Sequence, residues 1–188
     1  MKTTAWIGLL LLPVAGFAQQ KEMGKELEEV ARIATVMIDG DACRRIQTPR
    51  SREFQFKQDK RDPWIGSDNY DVDHQAFLQT KKTLIRLSRL AAQPCDVSLW
   101  MPVESQPSRV QIMVRNANEL SQFWTWGAMH QPMFPEMKQV LETGQRVRVA
   151  KRAGMLSVLA PVYDSLGDIV GLVEVAGRAE PATHENVK

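Results

Sequence analysis

Residues 153–178, AGMLSVLAPVYDSLGDIVGLVEVAGR, restrict the possible folds more than any other stretch of the chain. They read as two strands and one tight connection. Leu156, Val158, Ala160 and Val162 fall on one face of the first strand, and Met155, Ser157, Leu159 and Tyr163 on the other. The second strand, 169–176, is apolar almost throughout, with Val170, Leu172 and Glu174 opposite Ile169, Gly171, Val173 and Val175. Asp164-Ser165-Leu166-Gly167-Asp168 supplies the turn, with a glycine for the positive φ that such a connection needs. Neighbouring strands apolar on both faces require cover on both, so the pair is predicted in the middle of an antiparallel sheet.

The preceding chain must therefore supply further strands and helical cover. Residues 21–45 predict a long first helix, with Leu27, Val30, Ala31, Ala34, Met37 and Ile38 at helical spacing. Leu27, Val30, Ala34 and Met37 also fit a short seam that a second copy could meet, or a stripe packed on the same domain. Asp39-Gly40-Asp41 interrupts that helix or marks its last turns, and it reads as a solvated helix end rather than a metal site, since no further ligands follow at calcium-loop spacing. Residues 47–70 are polar and turn-rich, with 53–56 (EFQF) as a short strand and Trp64 and Ile65 pinning the loop. Asp68, Asn69, Asp71 and Asp73 read as caps for a second helix over 72–93, ended by Pro94. Strands are predicted over 96–104, 109–116 and 145–152, and a short helix over 136–142 stopped by Gly144. With the hairpin, the count is five strands and the class is α+β.

Composition sets the address and excludes several functions. With 188 residues, 44% hydrophobic and 24% charged, the chain fits one globular domain. Lys2, the apolar run 6–14 and Gly16-Phe17-Ala18 have the form of a cleaved signal peptide over 1–18. The apolar run 5–18 is shorter than the about 20 residues of a membrane-spanning helix. The expected organisation is a signal peptide, one domain over 19–178 and a disordered tail over 179–188, exported to the periplasm or secreted, with no membrane span in the mature chain. Without Lys2 there are 23 basic and 22 acidic residues, which gives no electrostatic case for nucleic acid. Cys43 and Cys95 are expected to bridge in an oxidising compartment, closing a loop worth roughly 4 kcal/mol; the alternative is two independent buried thiols. His74, His130 and His184 lie far apart, and no HExxH, GxSxG, P-loop or GxGxxG is present. An enzyme, a metal centre and a cofactor site are not expected.

The most aromatic and least regular stretch, 117–135, is the candidate binding segment. It offers Trp124, Trp126 and His130, and neighbouring strands add Trp100, Arg115, Arg148 and Tyr163. Tryptophan faces hold rings or cations, and arginine pairs carboxylates. Alternatively these aromatics simply close one end of the core.

Several pieces in this order resemble the Cache branch of the PAS-like extracytoplasmic sensor domains. They are Ile38-Asp39-Gly40-Asp41, residues 77–90 (FLQTKKTLIRLSRL), Pro135-Glu136-Met137 through Glu142-Thr143-Gly144, and residues 159–164 (LAPVYD) leading into 167–174 (GDIVGLVE). The resemblance implies a five-stranded antiparallel PAS/Cache-like sheet with a long N-terminal helix and a second helix packed on it. It also implies a small-molecule pocket between the sheet and the segment joining the second and third strands. The family's amino-acid-binding motif cannot be laid on this sequence, so no ligand class follows. Neither a second membrane span nor an output domain is present, which departs from many relatives. The expectation is a free-standing, non-catalytic sensor-type domain, working alone or with an envelope signalling partner. The alternative is a structural or interaction module of the same fold that forms a homodimer through residues 21–45.

Overall fold

A computed structural model describes residues 12–56, 72–116, 120–124 and 130–178, with side chains from residue 20 onward except 54 and 55. The elements are α1 (Leu12–Met37), α2 (Gly40–Arg45), α3 (Pro49–Gln55), α4 (Gln75–Leu87), β1 (Cys95–Val103), β2 (Gln106–Arg115), β3 (His130–Pro132), α5 (Pro135–Thr143), β4 (Val147–Val149), β5 (Met155–Tyr163) and β6 (Ile169–Arg178). The strands form one antiparallel sheet in the order β3-β2-β1-β6-β5-β4. The α+β class and the central place of the β5–β6 hairpin are as predicted, but the strands number six rather than five. The additional strand, β3, pairs three residues with the β2 edge. Three residues ending in proline carry no alternation of their own.

The helices also follow local causes. The helix expected over 21–45 is interrupted at Asp39-Gly40-Asp41 rather than ended there, because Asp39 leaves the helical region and its carboxylate caps α2 by accepting from Ala42 N at 3.0 Å. At its other end α1 starts at Leu12, so helical backbone runs through the expected cleavage point. In place of the predicted strand over 53–56, residues 53–55 end α3 and Phe56 follows in a turn; Thr48 Oγ1 accepts from Ser51 N and Pro49 opens the helix. α4 is capped by His74, whose Nδ1 accepts from Ala76 N, rather than by Asp73. Asp68, Asn69 and Asp71, with Trp64, Ile65 and the tail, lie outside the described residues.

The sheet has a different cover on each face. On one, α1, α2 and α4 bury Leu27, Val30, Ala34, Ile38 and Leu84 against Val97, Leu99, Val158, Ala160, Val173 and Val175. Each such aliphatic side chain contributes roughly 1.5–3 kcal/mol on leaving water. The stripe considered for a second copy is thus mostly spent on the chain's own sheet, with Met37 alone of its four residues exposed. On the other face, α5 and the segment 120–124 bury Trp100, Val110, Phe123, Met137, Val140, Leu159 and Leu172 together. Strict alternation fails once in β6. Val162 faces Gly171 while Tyr163 faces Ile169, so Val170 is an extra residue and joins the α1 face with Val173.

The helical layer is fastened to the hairpin at one corner. Asp164 closes the turn by accepting from Leu166 N and Asp168 N at 3.0 and 2.9 Å, and Gly167 takes φ 86°. Asp41 Oδ2 accepts from Ser165 N, and Arg44 pairs with Asp164 at 2.9 Å. Gly40 is required there: a Cβ would lie 2.3 Å from the Tyr163 carbonyl oxygen. Asp39-Gly40-Asp41 is a docking corner and not a solvated end.

The expected disulfide is not formed. Cys43 on α2 and Cys95 at the start of β1 are buried free thiols. They share the α1-side core but turn to separate partners, Cys43 to Thr80 and Cys95 to the Ser88 carbonyl at 3.4 Å. Burial pushes both thiols up to about 12. Among the described residues no helix is long and apolar enough to cross a membrane.

Candidate functional site

Strand register sets a polar row across the α5 face. Arg115 on β2 pairs with Ser98 on β1, and Ser98 pairs with Glu174 on β6. Glu174 is fully buried, an exceptional position for a carboxylate. Donors surround it: Ser121 Oγ at 2.5 Å, Gln122 N at 2.6 Å and Ser157 Oγ at 2.8 Å. Burial drives its carboxyl above the ordinary range, and the donors from Ser121, Gln122 and Ser157, with the nearby Trp100 N–H, pull it partly back.

These contacts fasten the start of the candidate binding segment to the sheet. Ser121 Oγ also accepts from Phe123 N and Trp124 N at 3.0 and 2.8 Å, folding 121–124 into a tight turn. Buried Asp96 accepts from Leu120 N at 2.6 Å. Gln122 Oε1 accepts from Lys151 N and Arg152 N, tying the segment to the β4–β5 connection. Beyond this turn the Arg115 guanidinium lies 3.8 Å from the centre of the Trp124 ring, a stack worth about 1 kcal/mol. Lys151 lies over Phe123 and Phe134 at 5.0 and 4.7 Å while pairing with Glu136 at 2.9 Å.

Two buried donors on this face lack a partner among the described residues: Trp100 Nε1 and Gln122 Nε2. The Trp100 N–H lies near enough to Glu174 to favour its charge, but it makes no well-formed hydrogen bond. A buried donor left unmade costs about 1–3 kcal/mol.

Of the residues expected to line a site, Trp100, Arg115 and Trp124 meet on this face. Trp126 lies outside the described residues. Arg148 points the other way: it aligns with Val158, whose side chain joins the α1-side core, and donates to Glu28 on α1 at 2.7 Å. Val147 and Val149 take the inward parity on β4. Tyr163 stands at the far end of β5, its hydroxyl 2.9 Å from where a Cβ on Gly144 would sit. His130 is at the sheet edge, its Nδ1 accepting from Arg109 Nε at 2.9 Å and its ring 4.8 Å from Phe56. Burial and then Arg109 lower its pKa. Glu174 and Ser121 escaped the sequence reading, although one carboxylate inside an apolar strand was the available signal.

No family model matches the sequence, and no curated protein does. Among solved structures, one described as the structure of the GAF domain is similar over 78% of this chain and 81% of that chain, at 6% identity and a TM-score of 0.41.

Proposed function

We propose that this chain is an exported, non-catalytic small-molecule-binding domain of the sensor type, Cache/PAS-like in kind. Its ligand is held on the α5 face of the sheet beneath the segment that begins at Leu120. The observation that carries the reading is the pair of unpartnered buried donors, Trp100 Nε1 and Gln122 Nε2, beside a guanidinium stacked on Trp124. Binding sites are mostly apolar, with a few placed polar groups that fix orientation. Here the apolar part is Trp100, Phe123 and Leu159, and the placed groups are two N–H donors and Arg115. A ligand presenting acceptor oxygens suits them. Glu174 suits anchoring rather than proton transfer, because both its oxygens are occupied by donors. The signal-peptide form of 1–18 supports export.

A thermal-shift screen of the purified chain against amino acids, organic acids, amines and purines tests the proposal. A ligand at a hundredfold its dissociation constant adds about 2.7 kcal/mol and raises the melting temperature. The rise should vanish in Trp124→Ala. The reading is sunk if no compound shifts the transition, or if every shift that is found survives Trp124→Ala.

A further inference from the structure

Beside the corner where α2 meets the β5–β6 turn, and away from the α5 face, α2 and α3 lean over the ends of β1 and β6 and leave a depression of about 360 Å³. Its floor is apolar, made by Met101, Pro102, Ile169 and Val170. The β6 bulge is what brings Val170 to this side. Arg44, Gln47 and Arg52 stand around the floor, with Glu104 beside them. A second depression of about 380 Å³ shares Gln47, Arg52 and Glu104 and extends to Phe56.

We infer that this depression is a second binding site, for a small organic carboxylate with an apolar body. Its volume lies in the range of ligand pockets, roughly 300–1,000 Å³. The two arginines play different parts. Arg44 is set in place by Asp164, a carboxylate almost wholly removed from solvent and itself fixed by two turn N–H groups. Arg52 pairs with Glu104 at 3.3 Å, but both side chains are more than half exposed, and pairs of that kind hold weakly. An incoming carboxylate can take the place of Glu104 on the Arg52 guanidinium, a planar fork matched to two carboxylate oxygens. The Gln47 amide adds a neutral donor. An inorganic anion would satisfy the arginines but leave the apolar floor uncovered, whereas an uncharged alkyl chain would do the reverse.

Hexanoate is a suitable probe, with 1-hexanol, hexylamine and inorganic phosphate as matched controls. Calorimetric titration of the full chain should show saturable hexanoate binding in the millimolar range or tighter. Arg52→Gln should weaken it about tenfold or more, the effect of losing hydrogen bonds to a charged group. Glu104→Gln should tighten it, because the competing carboxylate is gone. Arg52 is exposed, so circular dichroism of the variant should match the parent. Trp124→Ala should leave hexanoate binding unchanged, which separates this site from the one on the α5 face. The inference is overturned if hexanoate does not saturate, if Arg52→Gln binds as well as the parent, if a control probe binds as tightly, or if Trp124→Ala abolishes binding.

Discussion

Glu174→Ala tests directly whether the buried carboxylate holds the segment 120–124 to the sheet. Three donors lose their acceptor: Gln122 N, Ser121 Oγ and Ser157 Oγ. The backbone N–H of Gln122 cannot turn away, and stranding it costs about 1–3 kcal/mol. The two hydroxyls can rotate, and each forfeits only about 1 kcal/mol. Removing the carboxyl also relieves its own burial, so the total falls at the low end, about 3 kcal/mol. For a chain of this size that is a drop of roughly 6–12 °C in melting temperature. Glu174→Gln separates the contributions. Its carbonyl oxygen still accepts from Gln122 N and Ser157 Oγ, but its NH2 faces a Ser121 oxygen that already accepts from Phe123 N and Trp124 N. The expected loss is about 1 kcal/mol. Urea unfolding at pH 7 gives both numbers, and hydrogen exchange at residues 122–124 shows where the loss falls. Equal losses in the two variants, or an alanine loss below about 1 kcal/mol with unchanged exchange, would refute the reasoning.

Two further outcomes follow from the same structure. Gly40→Ala should destabilise the chain by about 3 kcal/mol or more in urea unfolding, because the methyl group meets backbone at Tyr163 and Asp164 with nothing flexible to yield; a loss under 1 kcal/mol would mean that α2 is not seated against β5. The Glu174 carboxyl is raised above its ordinary 4.5 by burial, so the folded state binds its proton more tightly than the unfolded state does. That contribution is complete below about pH 4.5 and is lost as the pH climbs toward the raised value. Melting temperatures of the parent minus those of Glu174→Gln should therefore fall with rising pH from 4.5 upward, and a flat or widening difference would contradict it.

What could be read in the chain depended on whether a signal was local. The β5–β6 hairpin announced itself through length, alternation and a turn glycine. β1 placed Val97, Leu99 and Met101 opposite Trp100 as its alternation required. α5 ends on Gly144 at φ 68°, where the sequence put its stop. α3 was misread because Phe54 and Phe56 alternate over only four residues, while the stronger cue was Thr48-Pro49, a cap followed by a first-turn proline. Asp39-Gly40-Asp41 was legible as a break in one apolar stripe, but the periodicity on both sides left open whether it split the helix or marked its last turns. Other features were not local at all. β3 exists because β2 offers an edge, and the fate of two cysteines depends on orientations that counting residues cannot supply. Within the site, Arg148 failed on parity: if Val147 and Val149 face inward, the residue between them faces away. Trp124 and Arg115 meet through the Ser121 turn, which exists because Glu174 holds it.

The corner where α2 grips the β5–β6 turn has a consequence for how the chain can vary in length. Asp41 reads an amide at one position of that turn and Arg44 reads the carboxylate that closes it, while Gly40 leaves no gap to absorb a shift. One residue inserted after Tyr163 would put the loop out of step with both contacts at once. The β1–β2 connection at Glu104 and Ser105 is solvent-exposed, and its register already slips between Pro102 and Val103. Insertions therefore have room in the hairpin that borders the arginine depression and none in the hairpin at the centre of the sheet.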